Sequence, residues 1–301
     1  MDQSARAVEA VLRRRLAAIE EQLARIAARV ESLADGVRPA ATYMGGQVVL
    51  TRLRGGLLIF LDTRSTDFTP HVATGGDWEP GITAAWLGLL NPGDTVLDVG
   101  AHMGFHTLLS AAAVGAGGQV HGIEPNESLS RLAQRSITAN GLDGIARLHT
   151  VAAGDAVRDM ELIVDPAWSG AGVVLPVAMV TPAGGQISQP CRMAPLDGLF
   201  PADFRVDAIK LSVQGAELAA LKGLRGMIER SPDVRIAVRV QPDGMRLHGE
   251  TVAALAEYAR SLGFRFWFVG GDGSLHPTTA EAVAGLPGGQ YPMVLSRRSV
   301  V

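Results

Sequence analysis

The chain has one cysteine, Cys191, among 301 residues. No internal disulfide and no cysteine-rich metal site can form, which suits a reducing compartment and a cytoplasmic location. No run approaches the roughly 18 apolar residues of a membrane span. The N-terminus is arginine-rich, but glutamates lie among the arginines and no apolar signal core follows, so no targeting peptide is read there. Charge of one sign is scarce as well. The formal net charge of -3 gives no electrostatic case for nucleic acid as a partner. What the chain does have is 47% hydrophobic and 19% charged residues, a composition that supports a sizeable core and argues against disorder.

Residues 5–34 read as one helix, free of Gly and Pro. Leu12, Leu16, Ile19, Leu23, Ile26, Val30 and Leu33 alternate spacings of four and three. That heptad seam predicts a left-handed coiled coil and a homo-oligomer. An amphipathic helix packed on its own domain would usually show a wider stripe. The expected division is a coiled-coil helix over 1–35, a linker and small β-hairpin over 36–76, and one large domain over 77–301. The hairpin strands are expected near 47–53 and 57–62.

From Asp77 onward strands alternate with helices. Strands are expected at 95–99, 119–124, 146–151, 159–164, 187–192, 206–211, 234–240, 265–269 and 292–296. Helices are expected at 82–90, 102–113, 128–140, 216–229 and 251–262. This predicts an α/β fold with a mostly parallel sheet, helices on both faces and an antiparallel pair at the C-terminal end.

The turn Asp98-Val99-Gly100-Ala101-His102-Met103-Gly104 follows an apolar strand and opens a helix. In a doubly wound sheet, ligands bind beyond the carboxyl ends of the strands. Glycine lets backbone approach a ligand, and free N–H groups at a helix start favour an anion. The dinucleotide fingerprint G-x-G-x-x-G is absent. Asp98 would repel a pyrophosphate and suit an ammonium, so a ligand with both an ammonium and a carboxylate fits better. The other reading is a glycine turn that serves only helix–strand packing. Glu124 ends the second strand roughly 20 residues further on, where an acidic side chain can hold ribose hydroxyls. A Glu before Pro125 can also be a simple helix-start residue, but the spacing favours ribose binding. Ala153-Gly154-Asp155 follows the third strand, where an adenine could sit or an ordinary turn could form.

In this order the residues resemble the FkbM-type methyltransferases over roughly 76–297. The matching segments are Gly76-Asp77-Trp78-Glu79-Pro80, Gly93 to Ala101, Gly122-Ile123-Glu124-Pro125-Asn126, Leu196-Asp197, Val206 to Lys210 and Gly215-Ala216-Glu217-Leu218. The resemblance implies a Rossmann-like class I methyltransferase fold and S-adenosylmethionine as cofactor. It further implies O-methylation of a hydroxyl on a sugar, polysaccharide or glycosylated secondary metabolite. It puts Glu79 near the cofactor, Asp98 and Gly100 at its methionine end and Glu124 at its ribose; Ala101, His102, Gly104, Asn126, Ala153 and Asp155 are the further candidate cofactor-binding residues.

The chain departs from the family pattern Lys-x-Asp-Val-Glu-Gly-x-Glu. It reads Lys210-Leu211-Ser212-Val213-Gln214-Gly215-Ala216-Glu217, and Arg239 falls where the family tends to have an acid. A hydroxyl and an amide are poor bases and poor ligands for hard cations, so no metal is expected. His102 and His106, four apart on the expected helix, share a face, and His106 is the candidate general base. Ser212, Gln214 and Glu217 complete the candidate catalytic set with Lys210, which would orient an acceptor or pair with Glu217. Trp78, Phe105 and Trp168 offer apolar walls, and the long loop from Asp165 to Ser188 is the expected place of substrate recognition. The competing reading is a non-catalytic S-adenosylmethionine-binding subunit with a degenerate acceptor site.

Overall fold

The computed structural model describes residues 40–182 and 184–300, together with Arg13, Arg15, Leu16, Ile19, Gln22 and Arg25. Those six residues are helical and exposed. Leu12, Leu23, Ile26, Val30 and Leu33, the rest of the expected heptad seam, lie outside the described residues.

The first elements are strands β1 (Thr42–Gly45), β2 (Val48–Arg52) and β3 (Leu58–Asp62), then helices α1 (Thr69–Gly75) and α2 (Pro80–Gly88). Alternating elements follow: β4 (Thr95–Val99), α3 (Phe105–Val114), β5 (Gln119–Ile123), α4 (Glu127–Ala139) and β6 (Ala146–His149). A strand-rich insert holds β7 (Ala152–Ala153), β8 (Arg158–Val164), β9 (Val173–Pro176) and β10 (Ile187–Ala194). The chain then forms β11 (Ala208–Leu211), α5 (Glu217–Gly223), α6 (Arg225–Arg230), β12 (Arg235–Val240), α7 (Pro242–Leu247) and α8 (Val252–Ser261). It ends in β13 (Arg265–Val269), β14 (Leu275–Thr278), α9 (Ala280–Ala284) and β15 (Tyr291–Ser296).

The large sheet has the order β14-β13-β15-β12-β11-β4-β5-β6. β12, β11, β4, β5 and β6 are mutually parallel. β15 runs antiparallel to both β12 and β13. The chain moves outward from β4 to β6, then returns to β11 on the other side of β4, so the topological switch point lies between β4 and β11. This is the mostly parallel α/β sheet with an antiparallel C-terminal end that the sequence implies.

Successive side chains on these strands enter opposite cores. Leu97, Val99, Ile209 and Leu211 pack with α5, α6 and α8 on one face, while Val96, Val120 and Ala208 pack with α2, α3 and α4 on the other. Burial on both faces explains why the central strands read as unbroken apolar runs.

The structure differs from the sequence expectations in several places. β1 occupies part of the expected linker, because Gly45, Gly46 and Gln47 at positive φ close a tight turn there. The resulting small sheet is docked on α4: the Asn140 amide bonds both the N–H (2.8 Å) and the carbonyl (2.7 Å) of Leu58, and Ser136 Oγ accepts from Phe60 N–H at 3.0 Å. Helix α3 starts at Phe105 rather than His102, because Gly100, His102 and Gly104 all take positive φ (84°, 53° and 85°). His102 is therefore in the turn, and the shared helical face with His106 does not exist. The helix expected over 216–229 is two helices. β9, α7, β14 and α9 are short elements set by tertiary pairing, and the periodicity gave no sign of them.

Gly100 has a second constraint besides its φ. A Cβ there would overlap the carbonyl oxygen of Ser212. Gly100→Ala is expected to cost at least about 2 kcal/mol in urea unfolding. Gly93→Ala, also at positive φ (88°) but with open space around its Cβ, should cost less, about 1 kcal/mol.

Candidate active site

A cavity of about 1000 Å³ opens at the carboxyl ends of β4, β5, β11 and β12. Ala152, Ala153, Met160, Leu162 and Met193, from the second sheet β7-β10-β8-β9, wall one side of it. The position is the one that a doubly wound topology assigns to a ligand.

The turn after β4 is held from below. Gly100 and Ala101 donate their N–H groups to Ile123 O at 2.9 and 3.0 Å. The N–H of His102 donates to Glu124 Oε2 at 2.8 Å, and that of Asn126 to Oε1 at 2.9 Å. Glu124 thus has both oxygens engaged while its side chain lines the cavity. Burial pushes its carboxyl up to about 7. Asn126 lines the cavity too and caps α4, its Oδ1 accepting from Ser128 and Leu129 N–H. Ala153 and Asp155 line the same region, Asp155 paired with Arg158 at 3.3 Å.

Three of the candidate residues are placed behind this surface. Asp98 is wholly buried and does not line the cavity; its Oδ2 accepts from Thr107 Oγ1 at 2.7 Å and its Oδ1 lies 3.3 Å from Lys210 Nζ. Lys210 pairs with Asp98, not with Glu217. Gly104 serves packing: a Cβ there would come within 2.8 Å of Ala133 Cβ on α4. Glu217 is fully buried at the start of α5, where Oε1 accepts the Gly215 N–H at 3.0 Å and Oε2 has no partner.

Across the cavity, His106 Nε2 lies 3.1 Å from Thr83 Oγ1, whose own proton goes to Trp78 O at 2.7 Å. Nε2 must therefore donate, and the lone pair sits on Nδ1. Burial and Lys210 hold His106 well below the usual histidine range, so its ring is neutral at physiological pH. Glu79, at φ 46°, forms an ion pair with Arg239, and both line the cavity. Lys210 and Ser212 reach the same space. So does Gln214, whose amide donates to Gly170 O.

That last bond belongs to a strap formed by the 3-10 stretch Pro166–Ala171. Thr66 donates from both N–H and Oγ1 to Ala167 O, at 2.9 and 2.8 Å. Asp67 Oδ2 accepts from Gly170 N–H at 3.0 Å. A chain of 2.8 Å hydrogen bonds then runs from His102 Nε2 through Ser169 Oγ and Ser65 Oγ to Asp67 Oδ1. Burial lowers the His102 ring to about 4. Trp78 and Phe105 both lie in the wall, packed edge-on against Phe68, and Trp168 stands on the strap.

Sequence reasoning missed Ser65, Asp67 and Thr83, and the cavity residues Arg246, His248, Glu250 and Gln290. The segment 65–67 carries no motif, and its partners lie about a hundred residues away. Among the described residues, no group of three or more His, Cys, Asp or Glu is placed to hold a metal ion. Among them also, no helix is long and apolar enough to cross a membrane.

Residues 98–266, more than half of the chain, match the methyltransferase FkbM domain. The chain belongs to the FkbM methyltransferase family. Membership makes it a methyltransferase with S-adenosylmethionine as methyl donor. It is also similar to the protein-L-isoaspartate O-methyltransferase of Aeropyrum pernix, 34% identical over 83 residues. That match covers 27% of this chain and 31% of the relative, so the chain spans about a third of that protein's length. Among solved structures it resembles P. horikoshii TYW2 in complex with MeSAdo, at 13% identity, 90% and 82% coverage of the two chains and a TM-score of 0.45. It also resembles an O-methyltransferase of Thermotoga maritima, at 14% identity, 83% and 77% coverage and a TM-score of 0.40.

The cavity suits the family's cofactor. Glu124 offers a carboxyl to hydroxyls, and Ile123, Leu129, Val151, Met160 and Met193 offer an apolar slot beside it.

Burial raises the carboxyl of Glu217, like that of Glu124, to about 7. Unfolded carboxyls titrate near ~4.3, so between these values the folded chain holds more protons and stability falls as pH rises. Glu217→Gln removes one of the two groups. Its urea midpoint is expected to fall less than that of wild type between pH 5 and pH 8.

Proposed function

We propose that this chain is an S-adenosylmethionine-dependent O-methyltransferase. It methylates a hydroxyl of a sugar, polysaccharide or glycosylated metabolite, without a metal ion. The observation that carries this reading is His106, a neutral imidazole in the cavity wall with its lone pair on Nδ1 and its other nitrogen fixed by Thr83.

When bound, S-adenosylmethionine supplies a methyl group on a positively charged sulfur, an electrophile that needs a nucleophile in line with it. The rest falls to this chain. The turn Gly100 to His102 and Glu124 hold the cofactor, Ala153 and Asp155 border its base, and the strap excludes water. Lys210 Nζ and Ser212 Oγ orient the acceptor oxygen. His106 Nδ1 would accept the hydroxyl proton as the oxygen–carbon bond forms and the carbon–sulfur bond breaks, with S-adenosylhomocysteine as the leaving group; that would do the work expected of the two carboxylates that Ser212 and Gln214 replace. Glu217 shapes the turn after β11 and touches neither reactant. Leu16 and Ile19, exposed and helical, support self-association through residues 5–34.

Two contacts favour the non-catalytic reading: Glu79 is closed on Arg239, and Gln214 on Gly170. A single variant separates the two readings. His106→Gln is expected to lower kcat by about 10²–10⁴-fold while leaving the thermal shift given by S-adenosylhomocysteine unchanged. A wild-type chain that binds S-adenosylhomocysteine but never turns over a hydroxyl acceptor would support the non-catalytic reading.

A further inference from the structure

We infer that the acceptor carries an apolar segment beside its reactive hydroxyl, and that Trp168, Met179 and Leu247 form the platform on which that segment lies. The inference rests on the methyltransferase reading above and names its substrate class more closely.

All three side chains line the cavity, yet they are 61%, 58% and 60% exposed. They come from three separate segments: the strap, the 3-10 turn Val177–Met179 and the end of α7. Val174 and Pro176 of β9 line the same cavity. Single exposed apolar residues are ordinary on a protein surface, but three that line one cavity while staying this exposed are surface that a ligand in that cavity can cover.

Trp168 is the most telling of the three. Trp86 and Trp267 are buried, and the Trp78 ring packs on Phe68 and His71. Among the described residues, Trp168 has no ring contact of that kind. Its backbone is nonetheless fixed, because Trp168 N–H donates to Asp165 O at 2.9 Å and the next two residues carry the strap's bonds to Ser65, Asp67 and His102. A fixed backbone that presents an unpartnered indole is preorganised for a ligand.

The occupant follows from continuity. The platform is part of the cavity wall, so whatever fills the cavity emerges across it. The volume of about 1000 Å³ is at the upper end of the ~300–1,000 Å³ usual for one small molecule, which leaves room for an acceptor beside a cofactor. His106, Lys210 and Ser212 line the same cavity. An acceptor with a polar end toward those residues and an apolar end toward Trp168 meets both kinds of wall. A flat lipid surface would not enter a concave mouth.

The test uses the full chain with saturating S-adenosylhomocysteine. Two probe series are titrated calorimetrically, each below its micelle threshold: methyl to octyl β-D-glucosides, and 1-alkanols of the same lengths. Each methylene that reaches the platform is expected to tighten binding about two- to fourfold in at least one series. Trp168→Ala should weaken the octyl compound about tenfold and leave the shortest probe unchanged, while Trp168→Leu keeps most of the gain. Affinity that is flat with chain length in both series overturns the platform. So does a gain that survives in both Trp168→Ala and Met179→Gln. Trp168-dependent binding to phosphatidylcholine vesicles, without any chain-length gain, would also overturn it and assign the patch to a lipid surface. The thermal shift with S-adenosylhomocysteine is recorded for every variant. If the wild type shows none, the methyltransferase reading fails and the platform with it; a normal shift with a flat series removes the platform alone.

Discussion

Asp98 and Lys210 are register partners on the adjacent parallel strands β4 and β11, and their side chains meet in the buried floor of the cavity. Thr107 of α3 holds the other carboxylate oxygen, so one contact joins two strands and a helix. A buried ion pair adds little to stability against an apolar alternative, but loss of one partner strands a charge and typically costs about 3–5 kcal/mol. The pair therefore fixes the spot where the two strands end and their turns diverge. Just above it the Gly100 backbone meets the Ser212 carbonyl so closely that no side chain fits between them. Gly100, Ala101 and His102 of the first turn and Ser212, Val213 and Gln214 of the second all line the cavity.

This constraint divides the cavity. On the β5 side, backbone N–H groups hold Glu124 from both ends, and burial raises its carboxyl to about 7. On the β12 side, ties that end on neutral groups or paired charges take the place of free carboxylates. Arg239 closes on Glu79, and Gln214 reaches the strap. In the proposed reaction the proton goes to His106, a neutral imidazole of this cavity with one nitrogen fixed.

The central strands were legible in the sequence because they are buried on both faces and end at residues with a chemical signature. Glu124 was found that way, and it does line the cavity. Asp98 was found by the same logic, yet its carboxylate is turned beneath the floor toward Lys210. A strand-end acid in sequence does not reveal which side of the sheet it faces, or which lysine a hundred residues on will be its neighbour. The placement of His102 was misread for a local reason: three positive-φ residues in five delay the helix, and only two of them are glycine. The strap was half legible, as a long Gly- and Pro-rich loop. Its anchors at Ser65, Thr66 and Asp67 are hydrogen bonds across large sequence separations, which no periodicity encodes.

On the proposed reading Glu124, braced by the turn above the Asp98–Lys210 pair, holds the ribose of S-adenosylmethionine. Changing the ligand tests it without disturbing the protein. S-adenosylhomocysteine and its 2′,3′-dideoxy analogue would be titrated calorimetrically into the full chain. Saturable binding of the first and at least about tenfold weaker binding of the second are expected, since hydroxyl bonds to a buried carboxyl are lost. Equal affinity for the two, or no binding of either, would contradict it.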